Sequence, residues 1–151
     1  MSSTSSHRSD HNWAPHAVPQ ALEPAESLAV ELSAGPMAGV EARRALLAGN
    51  GALPSAVRDE VLLLVTELVT NAVRHANAGP DRAVRVELSR LSDCVRVAVF
   101  DGGAGFTAGP PAERDEADGW GLVLVDRVAD RWAVTPTASG TCAWFELRYQ
   151  S

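Results

Sequence analysis

The alternation of apolar and polar residues predicts strands in the first two thirds of the chain. Apolar side chains occupy every second position over residues 28–32, which is the period of a strand with one buried face. The same period returns over 84–89 and 95–99, with a turn near residues 92–93. The last two runs predict an antiparallel hairpin.

Apolar residues at helical spacing predict three helices. A short helix follows Gly35-Pro36 and ends at the Gly-Asn-Gly run 49–51. A longer helix starts near Ser55, a plausible N-cap, and runs to His75 or Ala76. The third carries apolar residues at helical spacing over 122–129.

Two further strands, near 132–134 and over 141–149, complete the predicted elements. Helices and strands alternate, yet neighbouring strands are linked as hairpins. This favours an α/β (α+β) two-layer sandwich with a mixed, mainly antiparallel sheet and its helices on one face. Residues 25–151 form the predicted domain. Residues 1–24, rich in Ser, His and Pro without periodicity, are predicted to be a disordered extension.

Composition and charge narrow the classes of function. The net charge of −6 and the pI of about 5.1 argue against a protein held on nucleic acid by phosphate contacts. No apolar run approaches the roughly 18 residues of a membrane span, and the N-terminus lacks the apolar core of a secretory signal. We therefore expect a soluble cytoplasmic protein. Cys94 and Cys142 are expected to be buried thiols, although a disulfide stays open.

All 13 basic residues are Arg, because the chain contains no Lys. This excludes a Schiff-base lysine, a Walker A motif and the strand lysine of protein kinases. A nucleotide would therefore have to be held by other groups.

Glu67 and Asn71 are four residues apart in the longest predicted helix, so they lie on the same edge of it. This edge borders the apolar arc that is centred on Val61. A carboxylate there can accept a proton, and an amide oxygen can ligate a hard cation such as Mg²⁺. Taken alone, the common spacing Glu-x-x-x-Asn fits an ordinary polar helix edge better than a site.

Two glycine motifs lie further along the chain. Asp101-Gly-Gly-Ala-Gly follows an apolar strand, where a strand-end carboxylate can accept from an exocyclic amine such as that of adenine. Gly119-Trp-Gly-Leu enters a predicted helix, whose free N–H groups suit phosphate oxygens. Each motif alone is also explained by a simple turn of the chain or by a helix that follows a flexible loop.

The segment 107–118 between these motifs is rich in Pro and charged residues. Such a composition suits a mobile lid over a ligand, and Arg114 is its only cation. A plain solvated loop has the same composition.

The order and spacing of these segments resemble the N box and the two glycine boxes of the Bergerat-fold (GHKL) ATPases. The run 65–76, Val-Thr-Glu-Leu-Val-Thr-Asn-Ala-Val-Arg-His-Ala, is similar to the N box of the anti-sigma factor serine kinases, which are histidine kinase-like regulators of bacterial sigma factors. Residues 119–132 resemble their second glycine box with the following helix and strand, and 140–147 resemble their closing strand. The resemblance covers about 28–148.

This resemblance implies ATP and Mg²⁺ as cofactors. It implies that Glu67 is the general base, that Asn71 ligates Mg²⁺, and that Asp101 receives the adenine amino group with Thr141 beside it. It further implies two sets of glycine-box contacts: Gly103 and Gly105 frame the lid, and Gly119, Gly121 and Leu122 give backbone amides to the phosphates.

The implied activity is that of a serine/threonine kinase. It would transfer the γ-phosphate of ATP to a serine of a STAS-type anti-sigma factor antagonist and so control sigma factor availability. The alternative is a catalytically silent nucleotide-binding module that sequesters a regulatory partner. The expected partners are the antagonist, a sigma factor and a second copy of the chain, with neither nucleic acid nor membrane bound directly.

Overall fold

The computed structural model describes residues 26–49, 53–75, 83–101, 116–137 and 140–150. Within these ranges the chain forms a five-stranded sheet and three α-helices. In chain order the elements are β1 Glu26–Ser33, α1 Ala38–Ala48, α2 Arg58–His75, β2 Ala83–Arg90, β3 Cys94–Asp101, α3 Glu116–Val128, β4 Arg131–Thr137 and β5 Gly140–Arg148. The predicted α+β two-layer fold is confirmed.

The sheet has the strand order β1-β2-β3-β5-β4. Each of these neighbouring pairs is antiparallel, so the described sheet is more uniform than the mixed sheet that we predicted. The hairpin β2–β3 turns at the predicted place, where the backbone N–H of Leu91 donates to the carbonyl oxygen of Cys94 at 2.8 Å. The last strand is inserted between β3 and β4, which puts the end of β3 beside the start of β5.

One face of the sheet is covered by helices, and we call it the inner face. The register pairs Val97 of β3 with Leu88 of β2 and with Phe145 of β5, so these side chains share that face. All three are buried in one core together with Leu64 and Leu68 of α2. Burial of a side chain of this size contributes about 1.5–3 kcal/mol, so the α2–sheet contact is a main source of stability.

The helices match the predicted pattern, except at the starts of α2 and α3. Ser55 does not cap α2, since it begins a 3-10 turn, Ser55–Val57, and α2 starts after this turn. The buried residues of α1 are two alanines and one leucine, namely Ala38, Ala42 and Leu46. A Cβ on Gly39 would lie 3.4 Å from Cγ2 of Thr66, so α1 approaches α2 closely.

The opposite side of the sheet, the outer face, carries a second and smaller cluster of buried residues. Ala98, Ala133, Cys142 and Trp144 form it, and Phe100 packs against it. This cluster belongs to β3, β5 and β4, whereas the outer-face residues of β1 are exposed. The outer face is therefore divided between a buried half and an exposed half.

Both cysteines are free and buried, as we predicted. Burial raises the pKa of the Cys142 thiol to about 12, with a smaller contribution from the Glu87 carboxylate. Burial also raises the pKa of Cys94, and the nearby carboxylates of Glu146 and Asp93 add to this. Both thiols therefore stay protonated at neutral pH.

The predicted extension 1–24 and the predicted lid residues 107–115 lie outside the described residues. Within the described ranges, no helix combines the length and the apolar composition that crossing a bilayer requires.

Candidate functional site

Helix α2 packs on the inner face of the sheet, against β2 and β3. Its first residue, Arg58, lines a cavity together with Arg90 and Tyr149, at the end of the sheet where β2 finishes. From there its 18 residues extend roughly 27 Å. The eight residues of β3 also extend roughly 27 Å. A helix that starts at this end of the sheet and is as long as β3 can reach the other end, where β3 finishes at Asp101.

Asp101 and Thr141 are placed side by side at this end. They are direct partners in the β3–β5 register, so both side chains project from the inner face. Asp101 is only 3% exposed, and Thr141 is also buried. A buried carboxylate beside a hydroxyl can accept hydrogen bonds from the amino group of a ligand. The structure thus places side by side the two residues that are predicted to contact adenine. The adenine contact itself stays a prediction.

Asn71 and Glu67 lie in the second half of α2, one turn apart. Asn71 is buried, whereas Glu67 is half-buried. Glu67 lines a cavity of about 190 Å³ whose other walls come from Val123, Leu124 and Arg127 of α3. The carboxylate therefore faces a groove between α2 and α3, and the amide lies one turn closer to the Asp101 end of the sheet.

The residues near this end fit Mg-ATP by the type of group that each supplies. Mg²⁺ in nucleotide sites keeps several waters and takes few protein ligands, because phosphate oxygens complete its shell. The side-chain amide oxygen of Asn71 can serve as one of these protein ligands. The described residues contain no group of three or more His, Cys, Asp or Glu side chains that could hold a metal without phosphates.

The second glycine box is placed differently from our prediction. We expected it to enter a helix at the first residues, but α3 begins earlier, at Glu116, so Gly119, Gly121 and Leu122 lie within its first turns. In an α-helix only the first four N–H groups lack an intrahelical acceptor.

Amide contacts from Gly121 and Leu122 to phosphates would therefore need the first turns of α3 to open. These contacts stay a prediction. Gly103 and Gly105 of the first glycine box, and Arg114 of the predicted lid, lie outside the described residues.

Sequence reasoning missed Arg127 as a residue of this region. It considered cations only in the lid, whereas Arg127 lies in the last turn of α3 and lines the cavity of Glu67. A signal for it was present, because Val123 and Arg127 are four residues apart and share one side of α3. That side becomes recognisable as a cavity wall only once α3 is packed against α2.

Comparison with known families agrees with this arrangement. A family model described as a histidine kinase-like ATPase domain matches residues 32–147, which is well over half of the chain. The match includes α2 with Glu67 and Asn71, the strand end at Asp101, and β5 with Thr141. No curated protein matches the chain. The chain belongs to the family of histidine kinase-like ATPase domains, whose members bind ATP.

Proposed function

We propose that the protein is an ATP-dependent serine/threonine kinase that phosphorylates a serine of an anti-sigma factor antagonist. One observation carries this proposal. Glu67 lies one helical turn from the buried Asn71 and lines a cavity of about 190 Å³, which has room for an incoming serine side chain. A base beside a cation ligand, at the mouth of a groove, is the arrangement that phosphoryl transfer to a protein requires.

Each residue of the site has a defined part in this mechanism. Glu67 accepts the proton of the acceptor serine hydroxyl, whose oxygen bonds to the γ-phosphorus while the bond from that phosphorus to the departing ADP oxygen breaks. Asn71 holds Mg²⁺ through its amide oxygen, and Asp101 with Thr141 fixes the adenine. Bound Mg²⁺ supplies neutralisation of the phosphate charge. Arg127 adds a fixed positive charge to the wall of the acceptor groove.

The choice of partner rests on the resemblance of residues 65–76 and 119–132 to the anti-sigma factor serine kinases. Phosphorylation of the antagonist would control whether this protein sequesters a sigma factor. A cytoplasmic location is part of the same proposal, since the regulated transcription takes place in the bacterial cytoplasm. A homodimer is also part of it, because the resemblance implies one.

One observation favours the alternative, a catalytically silent nucleotide-binding module that sequesters a regulatory partner. Helix α3 already includes Gly119, Gly121 and Leu122. A domain whose amides stay engaged in that helix would hold the triphosphate weakly and would position it poorly for transfer.

Calorimetry with ATP and Mg²⁺ tests the nucleotide half of the proposal. We expect wild type and Glu67→Ala to bind with similar Kd, and Asn71→Ala and Asp101→Ala to bind at least tenfold more weakly, because each loses a charge-assisted contact or a cation ligand. Glu60→Ala is the matched control, because this glutamate is exposed on the first turn of the same helix. A wild type that binds no Mg-ATP would exclude both the kinase and the nucleotide-binding module.

Radiolabelled ATP with a purified antagonist separates the two functions. We expect phosphate on a serine of the antagonist, and a loss of at least about 10²-fold in Glu67→Ala, which is the usual contribution of a general base. If wild type binds Mg-ATP and no antagonist becomes labelled, the silent module is correct.

A further inference from the structure

A second cavity, of about 380 Å³, lies at the end of the sheet away from Asp101. Its walls come from the segment before α2 and from the chain that follows β5, and they include Pro54, Ser55, Arg58, Arg90, Tyr149 and Gln150. Arg90 is paired with Val95 in the β2–β3 register, six residues before Asp101. At the rise of a strand, the two ends are roughly 20 Å apart. We call this cavity the distal cavity.

Arg90 is held in a fixed position in the distal cavity. Its Nε donates a hydrogen bond to Oη of Tyr149 at 3.2 Å, and its guanidinium carbon lies 5.8 Å from the centre of the Tyr149 ring. The Tyr149 hydroxyl donates to the carbonyl oxygen of Leu91 at 2.7 Å, and the Tyr149 backbone N–H donates to the carbonyl oxygen of Asp93 at 3.0 Å. Because the ring is anchored at both ends, the guanidinium is placed before any ligand arrives, which lowers the entropic cost of binding.

The charge of the distal cavity differs from that of the whole chain. The chain carries a net charge of −6, whereas the lining residues that the structure describes include two arginines, Arg58 and Arg90, and none with an acidic side chain. Ser55 and Gln150 add neutral hydrogen-bond donors. Guanidinium groups match phosphate oxygens in both charge and fork geometry, so two of them suit one phosphate dianion.

The apolar part of the lining limits the ligand further. Leu53 and Pro54 are buried and form one wall, and the Tyr149 ring forms another. A cavity of about 380 Å³ is larger than a phosphate group alone. It has room for the group that carries the phosphate.

We propose that the distal cavity is a second ligand site, which binds a phosphomonoester dianion independently of the nucleotide site. The two arginines hold the phosphate, and the apolar wall with Tyr149 receives the carrier group. The proposal does not depend on the kinase activity, because none of its residues lies near Glu67 or Asp101.

Backbone NMR titrations with inorganic phosphate and with O-phosphoserine test this site, with sodium chloride at matched ionic strength as the reference. We expect saturable shifts at the amides of Ser55, Arg58 and Arg90, and no comparable shifts at Thr141. O-phosphoserine binding more tightly than inorganic phosphate would identify a phosphorylated side chain as the source, and equal binding would identify free phosphate.

Substitutions assign the shifts to the distal cavity. Arg58→Ala is expected to weaken binding about tenfold, the usual effect of losing one hydrogen bond between charged groups. Arg90→Lys keeps the charge and loses the fork, so it is expected to weaken binding by a similar factor. The control Arg85→Ala, at an exposed arginine of the same strand, is expected to change nothing.

Three results would overturn the proposal. They are the absence of saturable shifts in wild type, equal shifts with chloride, and an equal loss of affinity in Arg85→Ala. Asp101→Asn distinguishes this site from the nucleotide site, since it should leave phosphate binding at the distal cavity unchanged. If Asp101→Asn abolished these shifts, the phosphate would belong to the nucleotide site and the proposal would be wrong.

Discussion

Two ion pairs on the outer face of the sheet share one contact distance and differ in their surroundings. In each pair an arginine Nε lies 2.8 Å from a glutamate Oε1: Arg85 with Glu87 on β2, and Arg96 of β3 with Glu146 of β5. The side chains of the first pair are 49% and 38% exposed, and those of the second pair are 13% and 7% exposed. The second pair has a further hydrogen bond, which Nη2 of Arg96 donates to Oε1 of Glu146 at 2.6 Å, and Arg131 lies 3.5 Å from Oε2 of Glu146. Burial and these added contacts together separate the expected energies of the two pairs.

This difference shows that the outer face consists of two surfaces. The half formed by β1 and β2 is an ordinary solvated face, as a two-layer sandwich predicts. The half formed by β3, β5 and β4 excludes water from Trp144 and Glu146, with Arg131 stacked 5.9 Å from the centre of the Trp144 ring. The domain therefore has a small second core on the side that its helices do not cover.

Trp144→Ala should have the largest effect on this comparison. We expect it to lower the free energy of unfolding by about 3–5 kcal/mol, because it removes a buried aromatic side chain and leaves a cavity. Denaturation in urea measures this. Trp144→Phe is the matched variant and should cost less than about 1.5 kcal/mol, since it keeps a ring and removes a buried Nε1–H that has no acceptor among the described residues. A cost below 1 kcal/mol for the alanine variant would mean that this half of the face is solvated.

Glu146→Ala should have the second-largest effect. It removes the carboxylate partner of Arg96, whose side chain is only 13% exposed, so we expect the free energy of unfolding to fall by about 3 kcal/mol. A double-mutant cycle with Arg96→Ala isolates the coupling of the pair, and a coupling below about 0.5 kcal/mol would show that the two charges are solvated.

The pH dependence of the free energy of unfolding tests the buried half of the outer face, because Cys142 belongs to its cluster. Its thiol has a pKa of about 12 in the folded protein, whereas the unfolded chain releases that proton at about pH 8.5–9. Above that pH the unfolded state binds fewer protons, so stability falls as pH rises. We expect a loss of about 1.5 kcal/mol at pH 10 from this group alone.

Thermal unfolding at pH 7.5 and pH 10, in wild type and in Cys142→Ala, isolates this contribution. The variant should lose less stability between the two pH values. Equal losses would mean that Cys142 titrates normally in the folded protein.

Arg85→Ala should have the smallest effect. Exposed ion pairs contribute about 0–1 kcal/mol, so we expect a change below about 0.5 kcal/mol in the free energy of unfolding. A loss near that of Glu146→Ala would remove the distinction between the two halves of the outer face.

The sequence predicted the sheet, the long helix and its apolar arc because those features depend on hydrophobic period, which is local. It did not predict the start of α3, because the acidic residues that begin this helix have the composition of a loop. It also did not predict the buried half of the outer face. That cluster combines residues from β3, β4 and β5, and its existence depends on β5 lying between the other two strands.

The candidate site, like the fold, could be predicted only in part. Glu67 and Asn71 follow from the spacing within one helix, and Asp101 follows from its position after an apolar strand. The resemblance added Thr141. The pairing of Asp101 with Thr141 depends on strand register, which a single sequence does not specify. Arg127 could not be assigned, because its relation to Glu67 arises only from the packing of α3 against α2.

The position of β5 also has a consequence for how the domain folds. The hairpins β2–β3 and β4–β5 join neighbouring segments, so they close at little cost in chain entropy. The β3–β5 pairing joins segments far apart in the chain, with α3 and β4 between them, and such long-range pairing is the slow part of β-sheet folding. Asp101 and Thr141 meet only in that pairing. On our proposal that these two residues hold the adenine, competence to bind ATP should arise in the same kinetic phase as the complete fold. Refolding followed by a fluorescent ATP analogue would then show no earlier binding phase.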